Sequence, residues 1–400
     1  MCIRDRPQTM LELLIDADVY APARLGRRSL LLGGGRILWI GEGEPVLDTG
    51  LEVARSDLAG RRLVPGLIDP HVHITGGGGE AGPASKVPAL PLEAYTTAGV
   101  TTVVGLLGTD DTTRTVAELV TAARGLEAEG LNAWCWTGGY HLPPATLTGS
   151  VRGDITHIDR ILGVGEVAVS DHRSSQPTAD DLRRVAADAH VAGLMTGKAG
   201  LLHLHMGDGE RGLGPVREAL EGSELPPRVF HPTHVNRRKE LFDEALELAA
   251  LGSTIDVSAF PEIDGEREWS AAESWCRFRD AGLPPERITM SSDAGGMLPA
   301  FDADGQVSGY GVGTPITLIE TVRSLVAAGE DLADVLPAFT SNSAGLLRLQ
   351  GKGTIAAGTD ADLMVLTEDG AVDDVWVRGV RHVEAGRAIV RGTFSAPPGD

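Results

Sequence analysis

The sequence has little positive charge, few cysteines and no long hydrophobic run. Its 400 residues contain 35 Lys and Arg against 56 Asp and Glu, a formal net charge of −21 at pH 7. Nucleic acids and anionic membranes bind basic surfaces, so this balance argues against both kinds of partner. Three cysteines are present, Cys2, Cys135 and Cys276. Their wide spacing excludes a disulfide framework and favours a reducing cytoplasm.

No apolar run approaches the ~18 residues that a membrane helix needs. The amino-terminal segment also lacks the apolar region that is typical of a signal peptide. Its best apolar run, Leu13–Ile15, is bounded by Glu12 and Asp16. We therefore expect a cytoplasmic protein with no membrane partner.

Apolar, β-rich runs alternate with helical stretches from residue 63 onwards. The sequence predicts eight strands, at residues 63–74, 101–108, 132–138, 166–172, 201–208, 228–235, 253–260 and 288–295. It predicts helices among them at residues 112–130, 177–194, 211–222, 237–251, 269–281 and 315–328. Eight parallel strands with intervening helices are typical of a closed (β/α)8 TIM barrel. The alternative is a doubly wound open sheet, but Gly76–Gly79 lacks the glycine fingerprint that would open a helix there.

Short strands flank this alternation at both ends of the chain. The apolar runs Leu30–Leu32 and Arg36–Gly41 are split by three glycines, which suits a hairpin. After about residue 347 the chain returns to short apolar runs separated by turn residues. We expect an α/β fold in which residues 63–346 form the barrel. Residues 1–62 and 347–400 together would form a small β-sandwich domain.

His71 and His73 lie just after the first apolar run, Leu63–Ile68, from which Asp69 and Pro70 separate them. Side chains two apart on a strand point to the same side, so both imidazoles can bind one metal ion. Further polar residues mark later strands, with Glu166 at the start of the fourth: Ser170–Arg173, His203, His205, His231, His234 and Ser291–Asp293. Functional residues of TIM barrels lie at the carboxyl ends of strands. This pattern predicts one or two divalent metals with an open position for water.

Two histidines after the first strand, single histidines after the fifth and sixth and an aspartate after the eighth resemble the amidohydrolase superfamily. Its members also carry a β-sandwich made from both termini. The local sequences are similar to those of the isoaspartyl dipeptidases, metallopeptidases that cleave β-aspartyl dipeptides. The similar stretches are Pro65–His73, Gly76–Pro83, Val104–Asp110, Thr137–His141, Ser170–Arg173, His205–Asp208, Pro232–Arg237 and Ser291–Asp293.

The resemblance implies a binuclear metal site. Its expected ligands are His71, His73, Glu166, His205, His234 and Asp293. Nitrogen and oxygen ligands suit Zn²⁺ first, with manganese, cobalt or iron as alternatives. A hydroxide shared by the metals would be the nucleophile, and Asp293 would serve as general base and then general acid.

The resemblance also assigns substrate contacts. Tyr140 would donate a hydrogen bond to the developing oxyanion. Glu80 would pair with the α-amino group of the dipeptide. Arg173 and Arg237 would bind its carboxylates, which suits guanidinium geometry. The remaining residues expected in this pocket are Thr109 and Gly78.

The sequence departs from the family pattern at two positions. Glu166 stands where the family usually carries a carboxylated lysine, and we expect it to bridge the metals; the alternative is a charge that contacts neither metal. Met297 stands where the family has a serine near the substrate, which affects the preferred dipeptide.

Three other residues could be mistaken for ligands. His203 shares a face with His205, but we expect it to support a ligand or pack in the core. His231 lies three residues before His234 and should face the opposite side of the sixth strand. Lys198 precedes the fifth strand and so lies at the other end of the barrel.

The sequence therefore favours a hydrolase of isoaspartyl dipeptides, a small-molecule substrate, in a homo-oligomer as the resemblance implies. One alternative is another amidohydrolase, such as a cyclic-amide hydrolase or an N-acyl-amino-acid deacylase. A second alternative is a non-catalytic scaffold that kept the barrel for oligomer contacts.

Overall fold

A computed structural model describes residues 11–47, 50, 52–260, 267–301 and 307–395. Five strands open the chain: β1 (Leu11–Tyr20), β2 (Arg24–Gly33), β3 (Arg36–Gly41), β4 (Val53–Asp57) and β5 (Arg62–Pro65). The predicted glycine turn between β2 and β3 is confirmed. Gly34 and Gly35 have φ values of 59° and 82°, the left-handed pair that a two-residue hairpin turn requires.

Eight parallel strands follow: β6 (Leu67–Val72), β7 (Val100–Gly105), β8 (Asn132–Thr137), β9 (Ile161–Val169), β10 (Leu202–Met206), β11 (Phe230–Thr233), β12 (Ile255–Ser258) and β13 (Ile288–Ser291). Strands β6 to β11 pair in sequence order, and β12 pairs with β13. Strand β11 packs beside β12, and β13 packs beside β6. A parallel bridge between Val72 and Ala294 adds to the last contact, so the strands form a closed barrel. All eight predicted strands are present, but the first, predicted at residues 63–74, is divided between β5 of the other sheet and β6 of the barrel.

One strand position is corrected. Strand β9 begins at Ile161, so Glu166 lies in its second half rather than at its start. The segment Gly163–Gly165 belongs to the strand instead of preceding it. A Cβ added at Gly163 would lie 2.6 Å from the carbonyl oxygen of Leu201. Glycine without a side chain thus allows close packing of these strands.

In the described residues, seven α-helices lie between the barrel strands: α1 (Leu92–Thr96), α2 (Val116–Glu129), α3 (Val151–His157), α4 (Ala179–Thr196), α5 (Gly214–Glu221), α6 (Lys239–Ala250) and α7 (Ala271–Asp280). Helix α2 begins where the Thr115 hydroxyl accepts from the backbone of Glu118, and it ends at Gly130 with φ 110°. Its Val116, Leu119 and other apolar residues at helical spacing are buried.

The remaining elements complete the chain: β14 (Met297–Phe301), β15 (Val307–Val312), α8 (Ile316–Ala327), α9 (Leu332–Phe339), α10 (Ser341–Leu347), β16 (Leu363–Leu366), β17 (Val372–Val377), β18 (Val380–Glu384) and β19 (Arg387–Ala388). All six predicted helices are present. None of the helices in the described ranges combines the length and hydropathy of a membrane-spanning segment.

Both ends of the chain build one nine-stranded sheet. Its order is β19-β18-β17-β16-β5-β1-β2-β3, with β4 paired to β1. Antiparallel pairing of Val64 with Met364 joins the two ends. The sheet encloses its own apolar core, which includes Leu14, Leu30 and Trp376. The predicted fold, a TIM barrel with a small β-sandwich from both termini, is confirmed. We propose that the domain boundaries lie near residues 62 and 346, as the sequence pattern predicts.

A buried ion pair lies where the barrel meets the sheet. Lys352 Nζ lies 2.6 Å from Asp362 Oδ2 and 2.9 Å from Asp360 Oδ2, and only 3% of the Lys352 side chain is exposed. Asn132, the first residue of β8, donates to Asp362 Oδ2 at 3.0 Å. The backbone N–H of Arg378 donates to Asp362 Oδ1 at 2.8 Å. This hydrogen-bonded network joins β8 of the barrel to the nine-stranded sheet.

A buried carboxyl also joins three barrel strands. Asp256 of β12 accepts hydrogen bonds from the hydroxyls of Thr233 (2.7 Å), Thr289 (2.6 Å) and Ser291 (2.6 Å). Burial raises the pKa of Asp256 to about 7, although these hydroxyls oppose the rise. Strands β11, β12 and β13 therefore share one acidic group inside the barrel.

Replacing Lys352 with Met should leave the buried carboxylate of Asp362 without its cation, and it also removes a cation from the partly exposed Asp360. We expect the free energy of unfolding to fall by about 3–5 kcal/mol, measured by urea denaturation. Arg184→Met is the matched control because 77% of the Arg184 side chain is exposed; it should leave the free energy of unfolding nearly unchanged. Equal effects of the two substitutions would contradict the assigned role of Lys352.

The Asp256 carboxyl should make stability fall with rising pH. Its pKa of about 7 exceeds the ordinary 3.8, so its contribution is complete below the unfolded pKa and is lost as the pH rises through about 7. Between about pH 5.5 and about pH 8, chelator-treated wild type should lose about 2 kcal/mol more than Asp256→Asn. Parallel urea-unfolding profiles of the two proteins would disprove the assigned ionisation.

Candidate metal centre and active site

The first group of polar side chains lies where β6 and β13 end. His71 is fully buried and His73 is 6% exposed. Asp293 follows β13 with φ 52°. Its Oδ1 lies 3.1 Å from His73 Nε2 and 3.4 Å from His71 Nε2. These three residues form a group that could hold a metal ion.

A second group of the same kind consists of His71, Glu166 and His234. Glu166 Oε2 lies 3.5 Å from His234 Nε2 and 3.6 Å from His71 Nε2. The other oxygen, Oε1, lies 3.6 Å from His73 Nε2. His234 directly follows β11 with φ 60°, which turns its ring out of the strand direction. Glu166 thus lies between the two groups.

His205 belongs to neither group, but it lies beside the second. Its Nδ1 is 3.0 Å from Glu166 Oε2 and 2.8 Å from the Tyr140 hydroxyl. Its Nε2 is 3.2 Å from Asp171 Oδ2. The six predicted ligands therefore converge at one end of the barrel, with five of them in the two groups and His205 at the edge.

The donor atoms of this cluster fit a divalent cation. Within the described residues, His71 Nε2, Glu166 Oε1 and Asp293 Oδ1 are buried without a hydrogen-bond partner. Such unpaired polar atoms are costly unless a ligand satisfies them. Burial and the charge of Asp293 raise the pKa of Glu166 well above its ordinary value. A cation would offset the repulsion between these two carboxylates.

The imidazoles are also in the form that binds metal. Burial lowers the pKa of His71 and lowers the pKa of His234 well below its usual range. Burial lowers the pKa of His205 to about 3. Neutral imidazole is the metal-binding form. These histidines therefore offer lone pairs at neutral pH.

The predicted substrate residues lie beside the cluster. The Thr109 hydroxyl donates to Glu80 Oε1 at 2.8 Å, and Arg173 Nη1 donates to the same oxygen at 3.2 Å. The guanidinium of Arg173 lies 5.4 Å from the Tyr140 ring centre. Arg237 Nη1 lies 3.3 Å from His205 Nε2. Acidic and basic groups thus meet at the same edge of the cluster.

Gly78 requires glycine, and Met297 lies next to it. Gly78 has φ 72°. A Cβ there would lie 2.4 Å from the carbonyl oxygen of Ser85 and 3.4 Å from the Cβ of Met297. Met297 therefore faces the loop that carries Glu80, where its size can affect the shape of the pocket.

The sequence-based assignments missed Asp171. Its carboxylate accepts from the Arg173 guanidinium at 2.8 and 3.0 Å and lies beside His205. Burial alone would raise its pKa, but hydrogen bonds from His205 and Arg173 hold that pKa well below its usual range. The sequence signal that could have identified Asp171 is its position just after β9, two residues before Arg173.

Arg114 was missed as well. Its guanidinium donates to the backbone carbonyl of Thr75, to that of Val87 at 2.8 Å and to that of Gly77 at 3.3 Å. One side chain thus binds backbone carbonyls on both sides of Glu80 in the same loop. No sequence pattern marks an arginine that binds carbonyls from another loop.

Two predictions about nearby residues hold and one is wrong. Lys198 donates to the carbonyls of Ile155 and Ile158 at 2.7 Å each, away from the cluster. His203 supports a predicted ligand, with Nε2 2.8 Å from His71 Nδ1. His231 faces the barrel interior, 2.9 Å from His203. The prediction counted strand alternation through His234, which lies beyond the end of β11.

The comparisons with known proteins agree with this geometry. The sequence profile of the amidohydrolase family matches residues 62–381. The chain is similar to β-aspartyl dipeptidase from the thermophilic, keratin-degrading Fervidobacterium islandicum AW-1. Its crystal structure in complex with a β-Asp-Leu dipeptide is 39% identical, with a TM-score of 0.90, over 96% of this chain and 98% of that one.

A second crystal structure of that dipeptidase is 38% identical, with a TM-score of 0.86, over 95% of this chain and 98% of that one. A deacetylase from Agrobacterium fabrum is 23% identical over 355 residues, which are 84% of this chain and 77% of the deacetylase. The predicted resemblance to amidohydrolases and β-aspartyl dipeptidases is confirmed. The chain belongs to the amidohydrolase family of hydrolytic enzymes.

Proposed function

We propose that the chain is a dipeptidase that hydrolyses the isopeptide bond of β-aspartyl dipeptides with two divalent cations. The observation that carries this proposal is the similarity, over nearly the whole chain, to a dipeptidase solved with β-Asp-Leu. The charged groups around the cluster support it. Glu80, Arg173 and Arg237 match one ammonium and two carboxylates, which are the charges of a β-aspartyl dipeptide.

We assign the first cation to His71 and His73, with Asp293, and the second to His205 and His234. Glu166 would bridge the two, which its two differently directed oxygens support. The nitrogen and oxygen donors suit Zn²⁺, with manganese, cobalt or iron as alternatives. Such cations would polarise the scissile carbonyl and lower the pKa of a bound water.

Asp293 is our candidate for proton transfer. Its carboxylate would accept a proton from the attacking water and then return it to the leaving amine. Two features support this role: Asp293 lies two residues after the end of β13, and its Oδ1 faces His71 and His73 rather than a basic side chain. Burial alone would raise the pKa of Asp293, but His71 and His73 hold that pKa well below its usual range. The carboxylate is therefore ionised at neutral pH and can accept a proton.

Tyr140 is our candidate for the oxyanion. Burial, with the charge of Glu166, raises the pKa of Tyr140 well above its usual value. Its hydroxyl therefore keeps its proton at neutral pH and can donate a hydrogen bond to the negative oxygen that develops during attack.

Glu80 would hold the ammonium of the substrate, and Thr109 supports that position through its hydrogen bond. Arg173 and Arg237 would bind carboxylates. Gly78 would bring its backbone close to the substrate. Hydantoins lack an ammonium group, and N-acyl amino acids also lack one, so the position of Glu80 favours a dipeptide over both rival substrates.

Purified protein loaded with Zn²⁺ should hydrolyse β-Asp-Leu. We expect α-Asp-Leu, hydantoin and N-acetyl-leucine to react at least about 10³-fold more slowly. Hydantoin and N-acetyl-leucine lack the ammonium group, and α-Asp-Leu carries the same charges at different positions relative to the scissile bond. Release of free leucine and loss of hydantoin are the measurements.

Asp293→Asn, purified in the same way, is the control for contaminating peptidases. Its kcat should fall by about 10³-fold. Turnover of hydantoin alone would reassign the protein to the cyclic-amide hydrolases. Turnover of N-acetyl-leucine alone would reassign it to the deacylases. Inactivity of the metal-loaded protein towards all four substrates would favour the alternative of a non-catalytic scaffold.

The metal requirement tests the role of Glu166. After chelation, activity should return with metal alone in bicarbonate-free buffer, because a glutamate needs no carboxylation. Glu166→Gln should bind the second metal equivalent more weakly, since it loses an anionic ligand. A strict requirement for bicarbonate would contradict the bridging assignment.

A further inference from the structure

A continuous row of buried polar side chains runs beneath the cluster. His71 Nδ1 lies 2.8 Å from His203 Nε2, and His203 Nδ1 lies 2.9 Å from His231 Nδ1. His231 Nε2 lies 3.1 Å from the Thr289 hydroxyl, which lies 2.6 Å from Asp256 Oδ1. All five residues are fully buried. The row crosses the barrel interior from β6 to β12.

We propose that His203 and His231 are positioning residues that fix the tautomer of His71, so that its Nε2 is the nitrogen offered to a cation. The proposal rests on the metal site proposed above. It assigns a role to His203 and His231, which belong to neither group of candidate metal ligands and act only through His71.

The direction of each hydrogen bond follows from the acidic end of the row. The ionised carboxylate of Asp256 can only accept, so the Thr289 hydroxyl donates to its Oδ1. The Thr289 oxygen then accepts from His231 Nε2–H, which leaves His231 Nδ1 as an acceptor. The assignment of the whole row places one proton on each of its three rings, so that all three histidines are neutral.

The remaining steps end at the cluster. His231 Nδ1 accepts from His203 Nδ1–H, so His203 Nε2 carries a lone pair. That lone pair accepts from His71 Nδ1–H. His71 Nε2 is then unprotonated, and it is the atom that lies beside Glu166 and Asp293 without a hydrogen-bond partner in the described chain. A hydrogen bond at the far nitrogen orients a metal-binding imidazole and raises its basicity.

The surrounding packing fixes the ring of His203. Trp136 stacks on it at 4.9 Å between ring centres and 13° between planes. The Trp136 indole N–H donates to the carbonyl of Pro70 at 3.1 Å. A Cβ at Gly165 would lie 2.6 Å from the Cβ of His203. Glycine directly before Glu166 thus leaves room for His203 in the next strand.

The test compares His203→Gln with His203→Leu. Glutamine can accept from His71 and donate to His231, whereas leucine fills the space without an acceptor. By competition with a chelator, His203→Leu should weaken Zn²⁺ affinity about 10–100-fold for one equivalent, and His203→Gln should stay close to wild type. His382→Leu, which changes a buried histidine of the sandwich, is the matched control and should not alter metal affinity.

Nitrogen NMR of ¹⁵N-histidine-labelled, metal-free protein gives a second measurement. We expect protons on Nδ1 of His71 and His203 and on Nε2 of His231, and loss of the His71 Nδ1–H signal in any folded His203→Leu protein. An Nε2–H form of His71 in wild type would overturn the proposal, as would wild-type metal affinity in His203→Leu. Both measurements are independent of substrate, so a failure to hydrolyse β-Asp-Leu would reject the proposed function without deciding the tautomer.

Discussion

The cluster depends on two buried carboxylates, Glu166 and Asp293, that face the same imidazoles of His71 and His73. Carboxylates within a few ångströms of each other in a site of low dielectric repel strongly. Here burial lowers the pKa of His71 and of His234, so that neither ring carries a positive charge at neutral pH. A proton on Glu166 or a cation that enters the cluster would offset that repulsion. The rest of the barrel holds these groups together against the repulsion.

Buried hydrogen bonds inside the barrel supply that restraint. Strands β11, β12 and β13 share the Asp256 carboxyl, and the row through His231 and His203 links it to His71. Hydrogen bonds inside a barrel restrict side-chain rotation more than apolar contacts do, because they fix direction as well as distance. The cluster and the interior of the barrel are therefore one polar network within an apolar cylinder.

Much of this arrangement could be predicted from the sequence. Apolar runs and helical spacing identify the eight strands and six helices, since both signals are local. His71 and His73 are recognisable because strand geometry puts them on one face. The errors arise where local periodicity ends. Glu166 was placed at the start of its strand because the strand was predicted to begin at residue 166, whereas β9 begins at Ile161. His231 was assigned to the wrong face because β11 ends at Thr233.

Other residues were missed because tertiary contact alone defines them. Arg114 binds backbone carbonyls of a distant loop, and Asp171 gains its position from Arg173 and His205. The most direct test of the paired-cation account is an anomalous difference map from crystals of zinc-loaded protein. The account predicts two peaks with Glu166 between them, one about 2.0–2.1 Å from imidazole nitrogens of His71 and His73 and the other equally close to His205 and His234. A map without peaks at this cluster would contradict it.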